Sequence, residues 1–365
     1  MFYVLLGFLL IRVGVGLLNL MLPPRLKRQE LKELPTVSIL IPARNEAANL
    51  PHLFSQILGL RYPKLEVIVL NDQSEDATEA ILQQYAQAQP EIHYINGQPL
   101  PQGWLGKNWA CHQLGERATG DYFLYLDADI HRLDPAIIPT TVHYMQRLGT
   151  SLISIFPNQI MQTSGEKWTV PIMHYLLLSL LPLWWIYRLP FPSMAAANGQ
   201  FMLFKAQDYR QYKWHEQIKS VIVEDIAIMQ KIKAAKLKGM TFVGSGLIFC
   251  RMYQSLDEGI QGFSKNILSG FGNSMIGLCV YLVLIILGWA WVIPQLTVLE
   301  AGLSLGLILA LRVMISYLAQ QHIIENIIFH PIQMALMVWI GGLSIYKKFR
   351  GKNEWKGRNV QLPQP

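Results

Sequence analysis

The stretch Asp121-Tyr122-Phe123-Leu124-Tyr125-Leu126-Asp127-Ala128-Asp129 decides how this chain folds. Its five apolar or aromatic residues, Tyr122 to Leu126, show no alternation and predict a short strand buried on both faces. The strand delivers two carboxylates, Asp127 and Asp129, at its carboxyl end. In an open α/β sheet that end is where ligands bind. Neighbouring carboxylates repel each other and resist desolvation, so two of them beside a buried strand imply a divalent cation. Mg²⁺ or Mn²⁺ takes oxygen ligands and joins a few carboxylates to substrate phosphates.

Upstream the same grammar repeats. Residues 37–42 read as a first strand, followed by Ala43-Arg44-Asn45-Glu46 and a helix over 47–58. Residues 66–70 read as a second strand ending at Asn71-Asp72-Gln73-Ser74, with Asp76 capping a helix over 77–88. A weak third strand at 93–95 and a helix over 108–118 lead back to the strand before Asp127. Strands alternating with helices over short connections give βαβ units, hence an α/β domain with a mostly parallel sheet. Four polar clusters then meet at one rim: Arg44-Asn45-Glu46, Asp72, Gly103-Trp104-Leu105-Gly106-Lys107, and Asp127 with Asp129. Lys107, just ahead of a helix, lies where a diphosphate would also meet the helix N-terminus.

The remainder of the chain is of another kind. Apolar residues make up 52% and charged residues only 15%, against about 25% charged in ordinary soluble domains. The excess lies in apolar runs at 2–22, 275–298, 302–318 and 327–346, and about 20 residues suffice to cross a bilayer. The first run, broken only by Arg12 and Asn19, lacks the basic start and small-residue cleavage site of a signal peptide and reads as a retained anchor. Residues 168–190 are also apolar, but one crossing there would separate Asp129 from the later acidic motif. They therefore read as an interfacial segment, with Pro171 and Pro182 limiting a straight helix.

The net charge of +7 gathers beside the membrane runs, at Arg25, Lys27, Arg28 and Lys32 and again at Lys347, Lys348, Arg350, Lys352, Lys356 and Arg358. Such clusters favour the cytoplasmic face. The soluble domain has no basic stripe interleaved with aromatics, which argues against nucleic acid as a partner. Three cysteines without metal-ligand spacing fit a reducing compartment. The expected organisation is an anchor at 1–24, a catalytic domain at 36–245 containing the interfacial segment, an interfacial motif region at 246–272, a membrane region at 275–346 and a basic tail at 347–365. A multi-pass protein of the cell membrane with its catalytic domain in the cytoplasm follows. One conflict stays open: three crossings after residue 272 would put the basic tail outside, so either one run does not span or the tail breaks the positive-inside rule. Arg312 marks the run at 302–318 as the least lipid-like of the set.

Pro42-Ala43-Arg44-Asn45-Glu46, Asn71-Asp72-Gln73-Ser74-Glu75-Asp76 and Asp127-Ala128-Asp129 resemble the consecutive signatures of family 2 glycosyltransferases of the GT-A fold. Val223-Glu224-Asp225 is similar to that family's later acidic motif. Gly103 to Lys107 with Trp109-Ala110, Arg251-Met252-Tyr253-Gln254 and Glu354-Trp355-Lys356-Gly357-Arg358 resemble the membrane-bound lipid and carotenoid members, the diaponeurosporenoate glycosyltransferases above all.

The resemblance implies a nucleotide-diphosphate sugar donor, UDP-glucose or similar, transferred with inversion to a lipid acceptor, a carotenoid or other polyisoprenoid. It places Pro42, Arg44, Asn45, Glu46, Asp72, Lys107 and Asp127 on the donor, and Asp127 and Asp129 on Mg²⁺ or Mn²⁺. It makes Asp225 the base that takes the proton of an attacking hydroxyl. Gln200, Arg251, Trp355 and Arg358 are the expected acceptor contacts. The Gln-x-x-Arg-Trp motif of the processive polysaccharide synthases does not occur in the sequence, which favours single transfer. A membrane polysaccharide synthase and a non-catalytic membrane scaffold with a glycosyltransferase-like domain are the competing readings.

Overall fold

Seven strands form the main sheet, in the order β3 (Ile92–Asn96), β2 (Leu65–Asn71), β1 (Val37–Ala43), β4 (Tyr122–Leu126), β8 (Phe201–Lys205), β6 (Leu152–Phe156) and β9 (Gly239–Val243). The structure is a computed structural model that describes residues 1–350, together with the backbone of a two-stranded pairing between β11 (Glu354–Trp355) and β12 (Arg358–Asn359). β4 is the central strand, which explains its unbroken apolar run: Phe123, Leu124, Tyr125 and Leu126 are all buried.

Neighbours run parallel from β3 through β4, and β6 runs parallel to β9. Only β8 is reversed, antiparallel to both β4 and β6. The expected mostly parallel α/β sheet is therefore present, with one inverted strand that no local pattern in Phe-Met-Leu-Phe-Lys announced. A short second sheet sets β10 (Ile248–Cys250) between β5 (Ile130–Leu133) and the two-residue β7 (Asn158–Gln159).

The chain divides into two compact units. One holds both sheets and comprises 25–158, 185–251 and 354–365; the other comprises 1–24, 159–184 and 252–353. The expected catalytic span of 36–245 thus yields 159–184 to the helical unit. There the apolar stretch at 168–190 begins as the helices Ser164–Thr169 and Pro171–Leu180, and it continues as Leu183–Arg188. At about 1.5 Å per residue none of these pieces spans a bilayer.

Three helices among the described residues are long and apolar enough to cross a membrane: Phe2–Met21, Met275–Gln295 and Val298–Leu318. The run expected at 327–346 is instead split between the helices Ile323–Ile328 and His330–Arg350, and it does not meet that standard. The run carrying Arg312 does meet it by length and composition, and the guanidinium is buried inside the unit. The polar breaks of the first run also have partners. Asn19 Nδ2 donates to the carbonyls of Leu178 and Leu181, and its Oδ1 accepts from the Leu183 N–H. Asn19 therefore satisfies the backbone freed where Pro182 ends the helix Pro171–Leu180.

The basic end of His330–Arg350 is anchored as well. Lys347 Nζ donates to Gln261 Oε1 at 2.7 Å and to Ser264 Oγ at 2.8 Å on the amphipathic helix Leu256–Gly270.

Candidate active site

Topology brings the site to one edge. β1, β2 and β4 are parallel, so Arg44, Asp72 and Asp127 leave the sheet on the same side. The helices preceding β4 and β9, Gly106–Arg117 and Glu224–Ala234, run back along the sheet, so Lys107, Glu224 and Asp225 sit at N-termini on that side. β8 runs the other way, so its beginning, Asn198-Gly199-Gln200, reaches the same edge.

At the loops after β1 and β2 Arg44 is buried, and its Nη1 donates to the carbonyls of Asp72 at 2.9 Å and Gln73 at 2.8 Å. Asn45 accepts from the Glu75 N–H at 2.8 Å while its own N–H reaches Ser74 Oγ at 3.0 Å. Glu46 accepts from Asn49 Nδ2 at 2.7 Å, and its N–H donates to Thr78 Oγ1 at 2.9 Å. Asn45 and Gln73 both adopt left-handed backbone, at φ 54° each, which gives the loops their sharp turns. Pro42 lies within β1 opposite Leu70, and Asp72 is buried at the end of β2. Arg44 and Asn45 therefore lock the two loops into one rigid rim.

Lys107 forms the centre of the charged cluster. Its Nζ is 2.9 Å from Asp127 Oδ2 and 2.8 Å from Glu224 Oε1, with Lys107 and Asp127 each a quarter exposed. Burial works against the ammonium, but the two carboxylates overcome it and hold its pKa well above the usual lysine value. Glu224 feels the same balance: burial is outweighed by the Lys107 charge, and its pKa is lowered. For Asp127 burial wins, and its pKa is raised. Neither the bridging role of Glu224 nor the approach of Gly199 was read from the sequence.

Asp225 opens its helix. Its Oδ2 accepts from the Gly199 N–H at 2.9 Å and its Oδ1 from the Ile226 N–H at 2.7 Å. Burial, then the adjacent Glu224 charge, lifts its pKa to about 7. A carboxylate poised near neutrality is suited to accept and release a proton.

Asp129 lies on the other side of the motif. Its Oδ2 accepts from Gln200 Nε2 at 2.7 Å, and Cys250 Sγ is 2.7 Å from the same nitrogen. Gln200, expected on the acceptor, is buried here and holds Asp129. The other oxygen, Asp129 Oδ1, is buried with no hydrogen-bond partner. Burial and the Asp127 charge raise the Asp129 pKa to about 7. An orphaned anionic oxygen beside a second carboxylate is a fit for a hard divalent cation. Among the described residues no group of three or more His, Cys, Asp or Glu could hold a metal, so any remaining ligands would come from substrate and water. Arg251, another expected acceptor residue, follows β10, and its N–H donates to the Asp129 carbonyl at 3.4 Å. The side chains of Trp355 and Arg358 lie outside the described residues.

Asn108 was also missed by sequence reading. Buried in the first turn of its helix, it donates from Nδ2 to the carbonyls of Ile218 at 2.9 Å, Lys219 at 3.2 Å and Val221 at 2.9 Å. This clips the loop before Glu224 to the helix that carries Lys107. Only the three-dimensional proximity of the two segments reveals it.

Two expectations follow from this geometry. Replacing Lys107 with Met leaves Asp127 and Glu224 facing each other without their cation. Loss of charge-assisted bonds worth about 1.5–3 kcal/mol should weaken binding of a diphosphate at this edge roughly tenfold to a hundredfold, as isothermal titration with UDP would read. Gly199→Ala places a methyl 2.9 Å from Glu224 Oε1 and 3.1 Å from Lys107 Nζ. Those are ends of long side chains, so the fold tolerates it, but the cluster shifts. Turnover falls roughly tenfold or more while Tm is held, a split that separates positioning from stability.

Residues 38–213 match the family profile Glycosyl transferase family 2. The 4,4'-diaponeurosporenoate glycosyltransferase of Staphylococcus haemolyticus is 25% identical over 293 residues, which covers 77% of this chain and 72% of that protein. The protein of the same name from Staphylococcus aureus (strain USA300) is 25% identical over 245 residues, covering 65% of this chain and 62% of the relative. The chain thus spans less than two thirds of the S. aureus relative. Among solved structures, a mannosyltransferase from Pyrobaculum calidifontis in complex with GDP-Man and Mn²⁺ superposes with a TM-score of 0.61 at 14% identity. The superposition covers 96% of this chain and 99% of that one, and it shows a shared GT-A fold.

Proposed function

We infer from the match of residues 38–213 to the glycosyl transferase family 2 profile that this glycosyltransferase moves a hexose from a nucleotide-diphosphate donor to a hydroxyl of a membrane lipid, a carotenoid or other polyisoprenoid. The observation that carries this reading is Asp225 near neutrality at the same sheet edge as Lys107 and the Asp127–Asp129 pair. The names of the 25% identical relatives support a carotenoid-type acceptor.

In this mechanism the rim tied by Arg44 and Asn45 holds the nucleoside end of the donor, with Asp72 beside it. Lys107 is set to exchange part of its contact with Asp127 and Glu224 for a phosphate oxygen. Asp127 and Asp129 would hold Mg²⁺ or Mn²⁺, which when bound neutralises charge growing on the leaving diphosphate. Asp225 orients the acceptor hydroxyl and takes its proton as the oxygen attacks the anomeric carbon from the face opposite the diphosphate, giving inversion. The Gly199 N–H, fixed by β8, keeps the Asp225 carboxylate in place for that transfer.

In this reading three spans would also fit the basic clusters. With a cytoplasmic catalytic unit, Met275–Gln295 leads out and Val298–Leu318 leads back, so the helix His330–Arg350 and its basic end return to the cytoplasm.

The test is transfer of label from UDP-glucose or GDP-mannose in membranes with Mn²⁺, followed by extraction into organic solvent. Metal-dependent label in the lipid phase is expected. A water-insoluble polymer would replace this reading with a polysaccharide synthase, and no label from either donor would count against the proposed donors.

A further inference from the structure

Two arginines lie inside helices otherwise built to face lipid, Arg12 in Phe2–Met21 and Arg312 in Val298–Leu318. Both are buried, at 3% and 0% exposure. A guanidinium cannot shed its proton to escape burial, and a buried one ordinarily faces a carboxylate. Here every protein acceptor is neutral. Arg12 Nε and Nη2 both donate to Ser179 Oγ, at 3.2 and 2.9 Å. Arg312 Nε donates to the Asn326 carbonyl at 3.3 Å, and its Nη2 donates to Asn326 Oδ1 at 3.0 Å and to Gln333 Oε1. Among the described residues neither arginine forms an ion pair.

The two charges are also close together. Both guanidiniums lie over the ring of Tyr175, 4.8 Å and 4.9 Å from its centroid. Cation–π attraction offsets part of each charge, but the like charges still repel in a medium of low dielectric. Arg312 Nη1 is buried with no partner, and so is Nδ1 of His330, whose ring is 5.4 Å from that of Tyr175. The amides around Arg312 are held in place. Asn326 Nδ2 donates to Ser316 Oγ and Gln321 Oε1, and Gln333 Nε2 donates to the Lys167 carbonyl, which fixes their oxygens toward the guanidinium. The arrangement is two fixed positive charges, an unused donor and a built polar shell, within a unit whose outer helix faces are apolar.

We propose that the Arg12–Tyr175–Arg312 cluster binds the anionic head, carboxylate or phosphate, of an amphiphile whose tail lies against the spanning helices. An intramembrane charge of this kind ordinarily marks a ligand or transport path. The planar fork of arginine matches both head chemistries. The site lies wholly within the helical unit and does not depend on the transfer reaction proposed above.

The full chain, purified in a neutral detergent, would be titrated with oleate, with phosphatidylglycerol, with phosphatidylcholine and with inorganic phosphate, reading Tm and native mass spectra. A saturable rise in Tm with a one-to-one adduct is expected for oleate, for phosphatidylglycerol or for both. Oleate alone would assign a carboxylate head, and phosphatidylglycerol alone a phosphate head. Phosphatidylcholine and tail-less phosphate should give neither effect. Arg12→Gln and Arg312→Gln should each weaken binding at least tenfold. Arg312→Lys keeps the charge without the fork, so it covers the case in which the Gln variant does not fold, and it should bind more weakly than the parent. No saturable adduct with either anionic amphiphile in the unaltered protein, or an affinity unchanged by all three substitutions, would overturn the proposal. The cluster would then be a cation–π staple between helices.

Discussion

Asp225→Asn lowers glycosyl transfer by about 10²–10⁴-fold, the usual contribution of a positioned general base, while nucleotide-sugar binding changes little. Asn keeps the shape and can still accept from the Gly199 and Ile226 N–H groups that hold the carboxylate at 2.9 and 2.7 Å. What it loses is the capacity to take a proton. The pH profile of the parent carries the same signature. The Asp225 pKa is raised to about 7 by burial and by the Glu224 charge, and only the ionised form acts as a base. Turnover at saturating substrate should therefore rise with pH through about 7, falling about tenfold per unit on the acid side. Glu224→Gln removes the like charge next in chain and should move that midpoint down. A rate that is flat between pH 5.5 and 8, or an Asn variant as fast as the parent, would remove Asp225 from the chemistry.

Asp129→Asn should have opposite effects on activity and on stability. Activity falls by roughly 10³-fold or more, because the orphaned Oδ1 is the oxygen best placed for the cation and its charge is gone. Stability of the metal-free protein should rise. Burial and the Asp127 charge raise the Asp129 pKa to about 7 in the folded state, against about 3.9 in the unfolded chain. The folded state therefore holds its proton more tightly. It is favoured most below about pH 4, and that advantage is lost as pH climbs toward 7. At pH 8 the charged Asp129 faces Asp127, whose charge Lys107 offsets only in part at 2.9 Å, so the neutral Asn relieves repulsion and should raise Tm by a few degrees. Mn²⁺ should raise the Tm of the parent at pH 8 and leave the variant unmoved. Equal Tm gains with Mn²⁺ in both proteins would place the cation elsewhere. Stability given up at a functional carboxylate is a common cost of keeping it charged.

Much of this architecture is legible in the chain because it depends on short-range pattern. The unbroken run Tyr122 to Leu126 signals a strand covered on both faces, and β4 is the central strand. The loops after β1 and β2 are readable because polar residues that follow apolar strands have only the sheet edge to occupy. The helices Phe2–Met21, Met275–Gln295 and Val298–Leu318, long and apolar enough to span, are readable because bilayer thickness sets a length that composition reveals.

Other features depend on partners distant in sequence. Arg312 read as a flaw in a spanning run and Arg12 as a break, yet both are buried inside the helical unit. The run at 327–346 is apolar enough to suggest a span, but the chain breaks it at Phe329 and places Gln333 against Arg312. Gln200 reads as an acceptor contact, and its side chain holds Asp129, because β8 is inverted and starts at the same sheet edge. Glu224 read as a neighbour of the base and proves to share Lys107 with Asp127.

The sequence by itself determined the strands, the helices long and apolar enough to span, and the residue types available for chemistry, since these follow from local hydrophobic period and chain geometry. The tertiary structure alone decided which carboxylate Lys107 neutralises, which oxygen of Asp129 is left without a partner, and which buried arginines share a ring. Those are questions of direction and distance between side chains far apart in the chain, and local pattern carries no information about either.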